Sequence, residues 1–387
     1  MDTQKLLLLL KYILNKQPLS ECPVVSQDWK DLLAQAKQHN VVSMLGCVLP
    51  QLTAAQMPPQ KELDSLRRQA MLMALVNSNQ LHGLEQMQQA FEAQGIWHMP
   101  LKGSTTRHLY PQPEMRTMND LDILTKPSQQ KEIRKIMTAL GYADFKEGRK
   151  HDIYCKKPYI RIEMHREMVA ARSRFSKYYR NVWDRCQPEE GKKYACRMSA
   201  TDAFVFNLVH LAGHLDEGGV GIRFITDVYV FDRCDAVDKA ALQNTLEELG
   251  LWELYKNVSC LAQQWFSMDP PVLEQAQAKL MQRLGEFVLS GGLFGTADNS
   301  SALAVHNDGR IGHFLKACFP GYEEMRSMYP WLEKWRILLP WSWFLRGTRS
   351  LLFRRESIKG QFRTSVSGDV QKGDALHRLY RDIGYYE

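Results

Sequence analysis

Apolar positions recur at helical spacing through the first quarter of the chain. Leu7, Leu10, Tyr12 and Leu14 belong to one such segment, and Trp29, Leu32, Leu33 and Ala36 to another. Met57-Pro58-Pro59 breaks the pattern. A long helix is then predicted from about Lys61 to Ala93, carrying Leu63, Leu66, Ala70, Leu72, Met73, Leu81, Leu84 and Met87, with Gly95 as its stop. After that the period changes. Residues 96–101 read as a short strand, and Lys102-Gly103-Ser104 turns into a short helix ended by Pro111 and Pro113. In DLDIL, Leu121 and Ile123 share one face of a strand and Asp120 and Asp122 the other. A helix with Ile133, Ile136, Met137 and Leu140 follows, stopped by Gly141. His151 to Lys156 and Tyr159 to His165 read as a hairpin joined at Lys157-Pro158, with Ile160, Ile162 and Met164 alternating with Arg161, Glu163 and His165.

From Met168 onward helices dominate. Ala200 to Leu215 is strongly apolar, with Ser199 or Thr201 as N-cap. GIRFITDVYVF reads as another helix, and residues 236–288 as further amphipathic ones. Residues 290–310, rich in Gly, Asn and Ser, form the clearest loop. Residues 314–355 are rich in Trp, Pro and Arg, and the tail after Ser357 is polar and expected to be loosely held, with one short helix near Asp374 to Asp382. The class is α+β, a small mixed β-sheet within a mainly helical protein.

Three carboxylates then stand out. If the strands holding Asp120, Asp122 and Glu163 are neighbours, their negative charges converge, and such a cluster calls for a cation among them. Carboxylate oxygens alone suit Mg²⁺ or Mn²⁺. Gly103 admits close backbone approach to a phosphate, and Ser104 either caps the helix or touches that phosphate. Arg116 either clamps a triphosphate or pairs with the aspartates, because phosphate and carboxylate suit guanidinium equally. Lys102 carries the same ambiguity, with solvent exposure a third outcome. His165 shares a strand face with Glu163 and either contacts substrate or orients a carboxylate. His210 and His214 lie one helical turn apart; without a Glu between them or a third ligand, zinc is not expected. Arg223 and Asp227 read as an internal ion pair.

Composition narrows the setting. The 387 residues suffice for two or three domains, with 44% hydrophobic and 24% charged residues, both ordinary for a globular chain. The net charge of +7 is diffuse, which suits an anionic substrate better than a nucleic-acid footprint. Eight cysteines are scattered with no C-x-x-C pair, so reduced, mostly buried thiols and a cytoplasmic location are expected. Leu6 to Leu10 is too short for a membrane span and reads as a packed helix. Ile337 to Leu345 is also too short. Packing of the Trp-rich region onto the helices is the expectation, with peripheral membrane contact the lesser alternative.

A glycine-serine turn, an Asp-x-Asp strand and a later acidic strand, in that order, resemble the DNA polymerase beta-like nucleotidyltransferase superfamily. The wording LKG, LYPQPEMRTMNDLDIL, LGY and IEMHRE is similar to a family of largely uncharacterised bacterial nucleotidyltransferases, as are NLVHLAGHLDEGGVGIRFITDVYVF and the Trp/Pro/Arg-rich end. The similarity runs from about residue 30 to 355. It implies a helical region at 1–94, a nucleotidyltransferase core at 95–169, a helical domain at 170–289, a loop at 290–312 and a helical C-terminal region at 313–387. It also implies that Asp120, Asp122 and Glu163 hold two divalent ions and carry catalysis. Lys102, Gly103, Ser104 and Arg116 would bind the nucleotide, and His165, His210 and His214 would border the substrate. The implied reaction moves a nucleoside monophosphate from an NTP to an acceptor (small molecule, sugar-phosphate, protein or RNA). A catalytically inactive binder of a nucleotide or sugar-phosphate on the same fold is the alternative. The stretch from Gly103 to Asp120 is longer than in many superfamily members, which leaves the role of Arg116 open.

Overall fold

A computed structural model describes residues 3–148, 151–158, 160–293, 295–353 and 370–386. In chain order its helices and strands begin with α1 (Gln4–Leu14), α2 (Trp29–Gln38), α3 (Val42–Cys47) and α4 (Gln60–Ala93). The central part holds β1 (His98–Pro100), α5 (Gly103–Thr106), β2 (Leu121–Thr125), α6 (Gln130–Ala139), β3 (Asp144–Lys146), β4 (His151–Lys156) and β5 (Ile160–His165). Then come α7 (Ser176–Tyr179), β6 (Gln187–Pro188), β7 (Cys196–Arg197), α8 (Ala200–Asp216), α9 (Ile222–Asp232), α10 (Lys239–Glu248), α11 (Trp252–Phe266) and α12 (Gln275–Gly291). The chain closes with α13 (Ala297–Cys318), α14 (Tyr322–Met328), α15 (Leu339–Phe353) and α16 (Val370–Asp382). This is the expected α+β class. No helix among the described residues is long and apolar enough to cross a membrane.

The five-stranded sheet has the order β1-β2-β5-β4-β3. β2 and β5 run parallel; the other neighbours are antiparallel. One face buries Leu121, Ile123, Ile162 and Met164 against Met87 and Phe91 of α4 and Ile133 and Met137 of α6. The alternation that put these residues on one face is therefore what frees the opposite face for polar groups. A larger second core joins α1–α3 to α8–α12, with Trp29, Phe204, Phe224, Tyr229 and Phe266 fully buried in it.

Local signals explain most boundaries. The end of α4 is a Schellman motif: Gly95 takes φ +72°, its N–H reaches Glu92 O at 3.3 Å, and Ile96 N–H reaches Phe91 O at 2.9 Å. Ser199 Oγ caps α8 by accepting from Asp202 N at 3.0 Å.

Four expectations need correction. Leu72 and Leu81 are not core positions of α4; with Met71 and Leu75 they are exposed along its middle, between ends buried at Leu63 and Leu66 and at Met87 and Phe91. The loop expected at 290–312 is mostly helix. α13 forms there because Ala302, Leu303 and Val305 are buried against the rest, and only Gly309, at φ 69°, leaves helical geometry. Burial overrides the weak helix propensity of Gly, Asn and Ser. The tail is not loose where it is described: α16 buries Leu376, Leu379 and Tyr380, and Tyr380 Oη donates to Leu215 O at 2.9 Å. Residues 354–369, which include most of the remaining tail, lie outside the described residues. Finally, the Trp-rich region packs on one side only. Trp343 Nε1 donates to Pro320 O at 2.9 Å, whereas Trp335 and Ile337, before α15, and Trp341 and Phe344, on it, are each more than half exposed.

Candidate active site

The register of two strands builds the site. Asp122 pairs directly with Glu163 across the parallel β2–β5 ladder, so their side chains stand together on the face opposite Ile123 and Met164. Asp120 sits two residues earlier, just before β2 rather than on it, and faces the Arg161 end of β5. Across the β4–β5 hairpin His151 pairs directly with His165. Along the strand axis the polar face thus runs from Asp120 and Arg161, through Asp122 and Glu163, to His165 and His151.

Contacts within this row are short. His165 Nε2 lies 2.7 Å from Asp122 Oδ1 and 3.8 Å from Glu163 Oε2. His151 Nε2 lies 3.1 Å from Glu163 Oε2, and the two imidazole centroids are 4.8 Å apart. Arg161 donates through Nε and Nη2 to Glu163 Oε1 at 3.2 and 2.5 Å. Lys102 Nζ donates to Asp122 Oδ1 at 2.9 Å. Lys102 has φ 50°, a left-handed backbone uncommon for a side-chain-bearing residue. Strain of that kind costs roughly 1–3 kcal/mol and must be held by the surrounding structure.

The electrostatics follow the same order. Burial raises the Asp120 carboxyl, and the neighbouring Asp122 and Glu163 raise it further. Burial would also raise Asp122, but the His165 hydrogen bond and the Lys102 ammonium outweigh it and hold Asp122 well below the usual carboxylate range. Burial lowers the His151 imidazole, opposed by Glu163. The two neighbouring acids are thus shifted in opposite directions, Asp120 upward and Asp122 downward.

The remaining candidates divide. Gly103 opens α5, where a Cβ would meet Met118 Cγ at 3.1 Å, so the turn is tight. Ser104 Oγ donates to Leu101 O at 2.8 Å; its hydroxyl serves the turn. Arg116 is corrected from phosphate clamp to structural anchor. Its Nε and Nη2 donate to Asp227 Oδ1 and Oδ2 at 2.7 and 2.8 Å, and its Nη1 donates to Thr117 O at 2.7 Å. Tyr110 Oη also donates to Asp227, at 2.6 Å. Asp227, expected to pair with Arg223, is hydrogen-bonded to Arg116, and its charge also favours that of buried Arg223. The longer loop before β2 is what lets Arg116 reach α9.

Helix α8 borders the row, as expected. His210 and His214 meet edge to face, their rings at 75° and their Nε2 atoms 3.2 Å apart. Burial, and then the nearby Lys102 ammonium, hold His210 well below its ordinary value, so it is a neutral wall of the site.

Two participants, His151 and Arg161, were not among the expected site residues. The signal for both was present: folding the hairpin about Lys157-Pro158 sets His151 against His165, and alternation puts Arg161 on the face of Glu163. Beyond Arg161 a groove of about 460 Å³ opens, apolar along Leu72, Met73 and Val76 of α4 and cationic at Lys156.

The donor set fits a divalent cation. Asp122 and Glu163 meet across two strands with Asp120 as an electrostatic neighbour, and among the described residues the ligand atoms of His151, Glu163 and His165 lie within 4.8 Å of one another. Comparison with curated proteins and with solved structures gives no match. A family model described as uncharacterised nucleotidyltransferase matches residues 25–267, well over half of the chain and including every residue of this row, and the chain belongs to that family.

Proposed function

We propose that this row transfers a nucleoside monophosphate from an NTP to an acceptor hydroxyl or comparable nucleophile, with Asp120, Asp122 and Glu163 holding divalent metal. The supporting observation is the Asp122–Glu163 pairing, with Asp120 on the same face, in a chain of the nucleotidyltransferase family. The acceptor oxygen bonds to the α-phosphorus, the bond from that phosphorus to the bridging oxygen breaks, and pyrophosphate leaves with the bridging oxygen. Bound metal supplies positive charge where the attacking and leaving oxygens develop negative charge.

The chain's own groups do the rest. Lys102, aimed into the row by its strained backbone, meets the triphosphate charge. The tight Gly103 turn lets backbone approach the phosphates. The acceptor proton passes to the carboxylate cluster. Neutral His210 and buried α8 close one side and limit water, and the groove beside Arg161 is where this reading seats the acceptor. An NTP pool and eight free cysteines fit a cytoplasmic setting.

The test is a thermal-shift screen of the four NTPs with and without Mg²⁺ or Mn²⁺, followed by pyrophosphate release from labelled NTP. Saturating ligand at a hundred times its Kd adds about 2.7 kcal/mol of apparent stability, a readily measured shift. Asp122→Asn is expected to abolish metal-dependent NTP binding. If it binds metal-NTP as tightly as the wild type, the assignment is wrong.

A further inference from the structure

The geometry points to a transition-metal position at the histidine end of the row, held by His151, His165 and Glu163 and selective for Mn²⁺, Co²⁺ or Zn²⁺ over Mg²⁺. The inference deepens the metal assignment proposed above and rests on it. Carboxylates alone would leave the choice of ion to availability; two imidazoles do not.

The argument is one of donor type and spacing. One ligand atom from each of the three residues can be chosen so that all lie within 4.8 Å of one another. His151 Nε2 is 3.1 Å and His165 Nε2 3.8 Å from the same Glu163 oxygen, and His165 Nε2 is 2.7 Å from Asp122 Oδ1. Ligands about 2.1 Å from a shared ion stand roughly 3 Å apart, so these separations are those of a coordination shell needing only small adjustment. Magnesium takes oxygen ligands and dehydrates reluctantly, whereas imidazole suits Zn²⁺ and its transition-metal neighbours.

The fold explains why both nitrogens arrive together. His151 and His165 are opposed residues of one antiparallel ladder, and their rings tilt at 42° to each other over the Glu163 rung. Their side chains are 30% and 13% exposed, so an ion can enter from solvent. Asp120 stands at the other end of the Asp122–Glu163 pair, beside Arg161 and away from the imidazoles. Asp120 therefore lies outside the cluster of nitrogen and oxygen ligands that His151, His165 and Glu163 form.

The experiment uses the full chain stripped of metal and titrated with Mn²⁺, Co²⁺, Zn²⁺ or Mg²⁺. Pulsed electron spin resonance of bound Mn²⁺ is expected to show nitrogen modulation from imidazole, a direct readout in the wild type that needs no variant and no turnover. Co²⁺ is expected to give a visible absorption band whose position changes in His151→Gln and in His165→Gln. Each variant should lose at least tenfold in Zn²⁺ affinity while Mg²⁺ affinity changes less than threefold. Apo melting curves matching the wild type establish that the variants fold.

The inference is overturned if Mn²⁺ binds without nitrogen modulation, or if Mg²⁺ binds as tightly as Zn²⁺ and both variants leave the affinities unchanged. The nucleotidyl-transfer reading survives that result, provided Mg²⁺ still promotes NTP binding and Asp122→Asn abolishes it. Conversely, nitrogen-coordinated Mn²⁺ with no NTP binding supports the metal position and removes the transfer reading. Failure of every divalent ion to bind overturns both.

Discussion

Removing the Asp227 carboxylate should unhinge the nucleotidyltransferase core from the helices that back it. Asp227 is fully buried on α9, and Arg116, 7% exposed, reaches it from the loop before β2 with two hydrogen bonds of 2.7 and 2.8 Å. Burial disfavours the Arg116 charge, and the Asp227 carboxylate more than restores it, raising the guanidinium above its ordinary value. Asp227→Ala leaves that charge buried without its partner. Coulomb attraction at about 4 Å and an effective dielectric near 20 is roughly 4 kcal/mol, and breaking buried pairs from one side costs about 3–5 kcal/mol. Tyr110 keeps Thr226 Oγ1 at 2.9 Å, so its hydroxyl is not orphaned and adds little. The expected loss is thus about 4 kcal/mol. Arg116→Met with Asp227→Leu, which removes both charges and keeps the volume, should recover all but about 1 kcal/mol. Equilibrium urea unfolding, followed by far-ultraviolet circular dichroism and tryptophan fluorescence together, measures both variants and tests whether the two cores melt as one. An Asp227→Ala loss under about 1 kcal/mol, or no recovery in the double variant, would refute the reasoning.

Three further outcomes follow from other contacts. Lys102→Met should weaken NTP binding about tenfold while strengthening divalent-ion binding, because it removes both a phosphate partner and a cation that competes for Asp122; paired calorimetric titrations measure both. Gly46→Val should cost about 2 kcal/mol, since even its Cβ would lie 2.7 Å from Ala70 Cβ where α3 crosses α4, and Ala70→Gly should return part of the loss in a thermal melt. Acidification should destabilise the fold through His39, 1% exposed and held down to about 4 chiefly by burial. Its folded value lies below its unfolded one, so the unfolded chain takes the proton first. Stability is full above about pH 6.5 and falls as pH drops toward 4, by about 3 kcal/mol from this residue, and His39→Gln should flatten the melting temperature over that window.

The parts of the fold written in alternation and capping were legible in the chain. Leu121, Ile123, Ile162 and Met164 announced a sheet with one apolar face, and Gly95 and Ser199 marked helix ends that the structure places within a residue or two. The convergence of Asp122 and Glu163 followed from the same alternation once the two strands were assumed to be neighbours. What local pattern did not carry was partner choice over long separations. Arg116 and Asp227 are far apart in sequence, and nothing near either one distinguishes a buried carboxylate from a phosphate. His151 is legible only through the register of the hairpin, which sets it opposite His165. α13 went unseen because its composition favours a loop and only its burial makes it a helix. The exposed apolar residues of α4 fail for the opposite reason: a helical period says which residues share a side, not whether anything covers that side.

The β2–β5 ladder carries one more consequence. Because side chains alternate strictly, sliding either strand by one residue would bury its acidic group among Ile133 and Met137 and expel an isoleucine or methionine to solvent. The register that brings Asp122 and Glu163 together is therefore the register that makes the hydrophobic layer possible. A molecule whose strands have zipped incorrectly is not a stable, silent isomer; it is one that cannot hold together. The convergence of the acidic and imidazole groups is thus checked at folding, by oily residues on the opposite face of the sheet.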